Sequence, residues 1–308
     1  MTSPYLIEIE DLYQAFGEGE RKKVVLDNVD LRIREGEFLS LVGPSGCGKS
    51  TLLRIVLGED TPVAFTKLLL RGAPLGPPDR SRGIVYQKYS IFPNRTVLDN
   101  ILAGPRFTHG LIEWRAKKQE YLDEAHHLIE RAGLAGHAEQ YPHELSGGQQ
   151  QRVAVLQAVF NRPSVLLMDE PFGALDPGTR ESMQAYILET WKEFDLTIVL
   201  VTHDLEEACY LGTRLVALSQ YYTDDRGDDL EGKFRGSRIV RDDFLRPRDT
   251  LPSPQVRAKE HFATYIQSVR SEAFDPKMRR HVRDFHLAHT DSFHTLHPEE
   301  WQDAKSLR

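Results

Sequence analysis

The sharpest chemical signal lies in eight residues, Gly43-Pro44-Ser45-Gly46-Cys47-Gly48-Lys49-Ser50. Four positions separate the first glycine from a Gly-Lys-Ser triplet, the spacing of a loop that cradles phosphate. Glycines let the backbone curl so that successive N–H groups point at phosphate oxygens. A helix starting near Lys49 aims its positive dipole end at the same anion. Lys49 is expected to reach the β- and γ-phosphates of a nucleotide, and Ser50 to hold Mg²⁺ through its hydroxyl. A second string, Val165-Leu166-Leu167-Met168-Asp169-Glu170, reads as an apolar strand delivering two carboxylates at its C-terminal end, where open α/β sheets place their ligands. Asp169 suits the magnesium shell and Glu170 the polarisation of an attacking water. A third, Leu145-Ser146-Gly147-Gly148-Gln149-Gln150-Gln151-Arg152, precedes that strand. Its glycines expose N–H groups at a helix start, which suits another anion site; Ser146 alone would also serve as a helix cap.

The elements that must position these residues follow from periodicity and punctuation. Tyr5–Tyr13 and Val24–Ile33 read as strands, the second with Val29, Leu31 and Ile33 alternating with Asp30 and Arg32. Glu37–Val42 is a short apolar strand, and Lys49–Leu57 a helix closed by Gly58. Strands are expected at Thr66–Leu70 and Gly83–Tyr86, then helices at Thr96–Ala103, Leu111–Ala132 and Val153–Phe160. The strands Val165–Met168, Ile198–Val201 and Arg214–Leu218 alternate with helices Gly178–Phe194 and Leu205–Leu211. This alternation predicts an α/β fold with a largely parallel core sheet. Composition excludes several classes. Of 308 residues, 40% are hydrophobic and 28% charged, which is globular and not disordered. No apolar run approaches the ~20 residues of a membrane span. Met1–Glu10 lacks the basic and apolar regions of a secretory signal. Cys47 and Cys209 are too few for a disulfide scaffold, so a cytoplasmic setting is expected. A net charge of −7 argues against a dedicated nucleic-acid binder.

In order along the chain, these strings resemble the motif set of the ATP-binding-cassette (ABC) ATPases from about Ile7 to Leu218. Gly43–Ser50, with Thr51, matches the phosphate loop; Gln87 matches the Q-loop glutamine; Leu145–Gln149 matches the signature, contributing Ser146, Gly147, Gly148 and Gln149. Val165–Glu170 matches the acidic strand with its catalytic glutamate. Ala174-Leu175-Asp176 matches the D-loop, and His203 the switch histidine. Phe16 sits where the family stacks an aromatic on adenine, with Tyr13 as runner-up. The resemblance implies a RecA-like core sheet, an antiparallel β subdomain and a helical signature subdomain at about 88–160, together filling residues 1–220. An insertion loop and a mostly helical extension would occupy 221–308. It further implies ATP and Mg²⁺ as ligands, with Ser50, Gln87 and Asp169 on the metal. Glu170, His203 and Gln87 would form the catalytic group. Ser146 and Gly148 would touch ATP bound to a second subunit, making a homodimer or heterodimer obligatory.

The wording of Gly36–Arg54, Val201–Leu218 and Gly236–Arg248 is most similar to importer ATPases of the nitrate/sulfonate/taurine group. That similarity implies a motor subunit at the cytoplasmic face of the inner membrane, beneath a separate permease and served by a solute-binding protein. Tyr89-Ser90-Ile91-Phe92-Pro93 is the candidate docking segment, since aromatics are enriched at interfaces. The competing reading is an ABC ATPase acting on nucleic acid or ribosomes without a permease; the single cassette and short helical section weigh against it. Tyr221–Gly236 reads as a solvated loop. The tail carries His281, His286, His289, His294 and His297. His286 and His289 would share a helix face at i, i+3, where a metal or pH-sensing pair is conceivable, while Asp284 and Asp291 are expected at the surface.

Overall fold

The computed structural model describes residues 4–87, 91–108, 111–226 and 235–292. Contacts divide the chain into one unit of Met1–Pro78 with Val199–Arg308 and another of Asp79–Ile198.

The first unit begins with an antiparallel sheet. Strand β1 (Tyr5–Phe16) pairs with β2 (Lys23–Arg34), and β4 (Lys67–Leu70) pairs with β1 and with β5 (Ala73–Pro74). Val29, Leu31 and Ile33 of β2 are buried while Asp30 and Arg32 are half-buried, the alternation expected of a strand with one wet face. Between β2 and β4 run β3 (Phe38–Val42), buried along its whole length, and helix α1 (Lys49–Leu57). Left-handed glycines close α1 at both ends, Gly48 at φ 94° and Gly58 at φ 87°.

The second unit opens with β6 (Arg82–Val85), and before its next strand the described residues include the α-helices α2 (Val97–Ile101), α3 (Ala103–Thr108), α4 (Leu111–Arg131) and α5 (Gly147–Val159). Strand β7 (Val165–Asp169) and helix α6 (Pro177–Glu193) follow. β6 and β7 are parallel, with Val85 opposite Met168. The helices share a core that includes Val97, Ile101, Leu128, Val153, Leu156 and Phe160.

The chain returns to the first unit within β8 (Thr197–Val201). It continues through α7 (Leu205–Leu211), β9 (Arg214–Ser219), β10 (Tyr222–Thr223), β11 (Arg238–Phe244), α8 (Glu260–Phe274), β12 (Arg280–His281) and β13 (His286–Leu287). β9 is parallel to β3 and antiparallel to β11, and β13 adds to β11 in parallel. Helix α8 packs Phe262, Ile266, Val269 and Ala273 on Leu205, Ala208, Leu215, Ala217 and Val240.

In this C-terminal part β11 pairs along its length with β9. Three expectations fail here. Tyr222 and Asp224 are buried, not solvated: the Tyr222 hydroxyl donates to Asp27 at 3.1 Å and to the Gly236 carbonyl at 2.9 Å. Beyond α8 the described chain forms two short strands with one 3-10 turn, Val282–Asp284, between them, so His286, in β13, and His289, after it, share no helix face. The His286 ring lies 3.1 Å from Asp243, and His289 is held below its usual pKa by burial and by Arg214. Asp291 is only 4% exposed: its carboxylate accepts two bonds from Arg34, at 2.5 and 2.6 Å, and one from the Tyr5 hydroxyl at 3.0 Å. His294 and His297 lie outside the described residues.

Candidate nucleotide-binding site

In the first unit the loop between β3 and α1 turns on Gly43, Gly46 and Gly48, all at positive φ. The need for glycine is steric as well as conformational. A Cβ on Gly43 would stand 2.2 Å from the Leu218 carbonyl oxygen of β9 and 2.7 Å from Cys47 Sγ. A Cβ on Gly48 would meet Leu26 and Val25 at 2.8 Å. Around Gly46 a Cβ would meet nothing within 4 Å, so that limb of the loop is open, with Ser45 and Gly46 exposed and Pro44 half-buried. Gly48, at the N-cap, offers no side chain to cap α1. The helix's leading N–H groups and its dipole suit an anion. Lys49 is buried, and its ammonium donates to the Gly43 carbonyl at 2.7 Å and the Pro44 carbonyl at 3.1 Å. Burial pushes the Cys47 thiol up, so it packs as a neutral group. Ser50 is exposed and Thr51 half-buried on the first turn.

His203 belongs to the same unit and is exposed. Its neighbours are fixed on both sides. The Thr202 N–H donates to Leu41 of β3 at 3.3 Å, and the Thr202 hydroxyl donates to Glu207 at 3.1 Å. Asp204 caps α7, accepting from the N–H groups of Glu206 at 2.9 Å and Glu207 at 3.2 Å. The segment that carries His203 is thereby tied to β3, the strand that leads into the glycine loop. Phe16, at the end of β1, is 47% exposed, whereas the Tyr13 ring is covered by the Lys22 ammonium at 5.4 Å. Phe16 is the freer face for a base.

The second unit holds the remaining residues. Register places Gln87 two residues beyond Val85 and Glu170 two beyond its partner Met168. Asp169 closes β7, and Glu170 takes φ 51°, a conformation that side-chain-bearing residues adopt at a cost. Gly173 reinforces this corner: its N–H donates to the Glu170 carbonyl at 3.2 Å, and a Cβ there would stand 3.3 Å from Gln87 Nε2. Ser146 caps α5 reciprocally with Gln149. The serine hydroxyl accepts from the Gln149 N–H at 3.3 Å, and the glutamine side chain accepts from the Ser146 N–H at 2.9 Å. Ser146 is thus a helix cap, and it and the neighbouring Gly147 are exposed. Asp176 caps α6 through the Thr179 N–H at 3.1 Å, and these bonds hold its carboxyl below the usual range. The two helix starts meet closely, since a Cβ on Gly148 would come within 2.4 Å of Thr179 Cγ2.

Gly173 and Thr202 escaped the sequence reading. Gly173 follows Glu170 by three residues in a turn, a spacing that hinted at a tight corner. Thr202 acts through a backbone bond that residue types do not reveal.

Beyond Gln87, Tyr89 and Ser90 lie outside the described residues. Phe92 is 38% exposed and meets Phe107 edge to face at 6.2 Å, with the Arg95 guanidinium over both rings. Buried Asn100 fixes this turn, accepting from the Phe92 N–H and donating to the carbonyls of Phe92, Arg95 and Thr96. No helix among the described residues is long and apolar enough to cross a membrane.

The chain is similar to known proteins. A family model described as ABC transporter matches residues 26–173. The nitrate import ATP-binding protein of Synechocystis sp. is 42% identical over 256 residues, covering 80% of this chain and 94% of that protein. The aliphatic sulfonates import ATP-binding protein of Bacillus licheniformis is 39% identical over 259 residues, covering 84% and 91%. Among solved structures, a dimeric post-hydrolysis ATP-binding cassette bound to ADP and Pi superposes with a TM-score of 0.62 at 29% identity, over 78% of this chain and 99% of that one. The chain belongs to the ATP-binding proteins of ABC transporters.

Proposed function

We propose that this chain is the ATP-hydrolysing motor subunit of an ABC importer, energising solute uptake through a separate membrane permease at the cytoplasmic face of the membrane. The observation that carries the reading is the glycine loop opening α1, with three positive-φ glycines, a helix start with no capping side chain at Gly48 and a buried lysine. The family membership and the import names of its relatives support the transport role. Nothing in the chain favours the nucleic-acid or ribosome alternative.

ATP is the substrate. Gly43–Thr51 would bind its phosphates, with Lys49 exchanging the loop carbonyls it now contacts for β- and γ-phosphate oxygens. Phe16 would stack on adenine. Ser50, Gln87 and Asp169 offer hydroxyl, amide and carboxylate oxygens, a donor set that fits Mg²⁺; when bound, the ion would neutralise charge on the β- and γ-phosphates. Glu170 would accept the proton of the attacking water, Gln87 would orient that water, and His203 would donate to the γ-phosphate. Ser146, Gly147, Gly148 and Gln149, with Asp176 beside them, would serve the ATP of a second subunit. Two copies related by a two-fold axis would then each complete the other's site. A solute-binding protein would deliver cargo to the permease.

The test joins chemistry to partnership. Glu170→Gln is expected to bind ATP with parental affinity and to lose at least ~100-fold in turnover, the usual worth of a general base. Tagged and loaded with ATP and Mg²⁺, this variant should bring down an integral permease from gently solubilised membranes. Near-parental turnover would refute the role of Glu170; recovery with ribosomes or DNA and no permease would refute the importer reading.

A further inference from the structure

Helix α7 has only seven residues, too short to hold itself in water. His203 stands immediately before its N-cap, so whatever fixes α7 also fixes the switch histidine. The N-terminal end is held by Asp204 and Thr202 as described. The inner face is held by Leu205, Ala208 and Cys209 in the α8 core.

The C-terminal end is held by a residue 43 positions beyond His203 in the chain, Arg246, which follows β11. Its guanidinium donates to the carbonyls of Tyr210 and Gly212, each at 2.7 Å, and to the carbonyl of Leu211. A further bond goes to the Thr250 carbonyl at 3.0 Å. All of these acceptors are main-chain oxygens, and the Leu211 and Tyr210 carbonyls are among those a helix leaves unsatisfied at its end. A planar fork of N–H donors matches such a group of carbonyls, and its positive charge faces the negative end of the helix dipole. The backbone around Arg246 is anchored too: the N–H groups of Leu245 and Arg246 both donate to Thr213 at 2.8 and 3.2 Å. Burial without a carboxylate partner draws the guanidinium pKa down to about 10, still charged at neutral pH. Seven residues at 1.5 Å rise make α7 about 10 Å long, so Arg246 acts on His203 along a two-turn rod.

We infer that Arg246 is a positioning residue for His203, clamping the far end of α7 so that the switch imidazole is presented in one place for hydrolysis. The inference rests on the hydrolytic role of His203 proposed above. It also gives the segment after β11 a share in catalysis, although that segment carries none of the family's motif residues.

The experiment uses the full-length chain and follows kcat, KM and the ATP dissociation constant for Arg246→Gln and Arg246→Lys, alone and in a His203→Ala background. Arg246→Gln should lower kcat about tenfold, in keeping with loss of a charge at a helix end, with the ATP dissociation constant within about twofold because Gly43–Thr51 is untouched. Arg246→Lys, which keeps the charge but not the fork, should recover part of the loss. In the His203→Ala background, Arg246→Gln should change residual turnover little. Parental kcat for Arg246→Gln, beside a His203→Ala variant that has lost activity, would overturn the inference alone. A further tenfold loss in the His203→Ala background would also overturn it, since Arg246 would then act by another route. Parental turnover of His203→Ala itself would strike the role of His203 and carry the inference with it. If Arg246→Gln does not fold, Arg246→Lys carries the test: an unchanged kcat together with unchanged amide exchange across α7 would overturn the inference.

Discussion

Replacing Arg214 with methionine would probe the joint between β9, β11 and the start of β3. Arg214 has a side chain only 1% exposed, bonded bidentately to Asp242 at 2.7 and 2.6 Å. It also donates to the Arg32 carbonyl at 2.6 Å and to Glu37 at 3.4 Å. Methionine keeps much of the volume and removes the guanidinium that both carboxylates share. Asp242 would retain the Ser292 hydroxyl, and Glu37 the Arg34 N–H at 3.0 Å. Those remnants do not neutralise two charges whose side chains are 3% and 10% exposed. Breaking such a buried pair costs about 3–5 kcal/mol. The loss should depend on pH. Burial already holds Glu37 above its usual pKa although Arg214 opposes the shift. Without Arg214 it rises further, so the folded variant takes up a proton more readily than the unfolded chain. The destabilisation should therefore be greatest at pH 8 and shrink as pH falls toward 5. Amide exchange in peptides from β9 and β11 is the suitable assay. Of the three tryptophans, Trp114 and Trp191 lie in Asp79–Ile198 and Trp301 lies outside the described residues, so tryptophan fluorescence is not specific for this joint. A loss below about 1 kcal/mol at pH 8, the range of an exposed pair, or one independent of pH, would refute the reasoning.

Gly43→Ala should cost about 3 kcal/mol of stability and abolish ATP binding, because its Cβ would lie 2.2 Å from a β9 carbonyl that cannot move without parting β3 from β9; thermal melting with a fluorescent ATP analogue reads both effects. Asp291→Asn should cost about 1 kcal/mol near pH 7, since half-exposed Arg34 is its chief partner. Arg34 holds the Asp291 carboxyl below its usual pKa, so this contribution is present above about pH 5 and fades as pH falls through the depressed value; in urea titrations of both proteins the gap seen at pH 7 should narrow only as pH is taken well below the usual carboxylate range, toward about pH 2.

Local punctuation made α1 and α7 readable to the residue: Gly48 and Gly58 bracket the first, and Asp204 and Gly212 the second. The start of α5 was harder. Its apolar pattern begins only at Val153, and two glycines at its head lower helix propensity, but the reciprocal bonds between Ser146 and Gln149 set the start at Gly147. The tail misled for a different reason. Asp291 and its partner Arg34 are 257 positions apart, and β13 finds an edge on β11 some 45 residues earlier. No local spacing encodes such pairings, so a strand next to a buried carboxylate reads as a polar helix. The phosphate loop, the acidic strand end and the helix caps were legible because each is a short string whose chemistry is local. The strained backbone at Glu170 and the clamp of Arg246 were not, because tertiary contacts create them.

The first unit is assembled from both ends of the chain, with Asp79–Ile198 inserted between. Phe38 at the head of β3 bonds to Thr213, 175 residues later. At about 5–20 residues per second, a ribosome needs roughly 9–35 s to bridge that gap. During this time the inserted unit can be completed and fold, while the apolar β3 waits without its β9 neighbour. The nascent chain thus spends most of its synthesis unable to form its nucleotide cradle, and ATP cannot assist its early folding. Chaperones that shield the exposed Phe38–Val42 strand would matter most in that interval, and synonymous codons that slow translation after residue 220 would come too late to help.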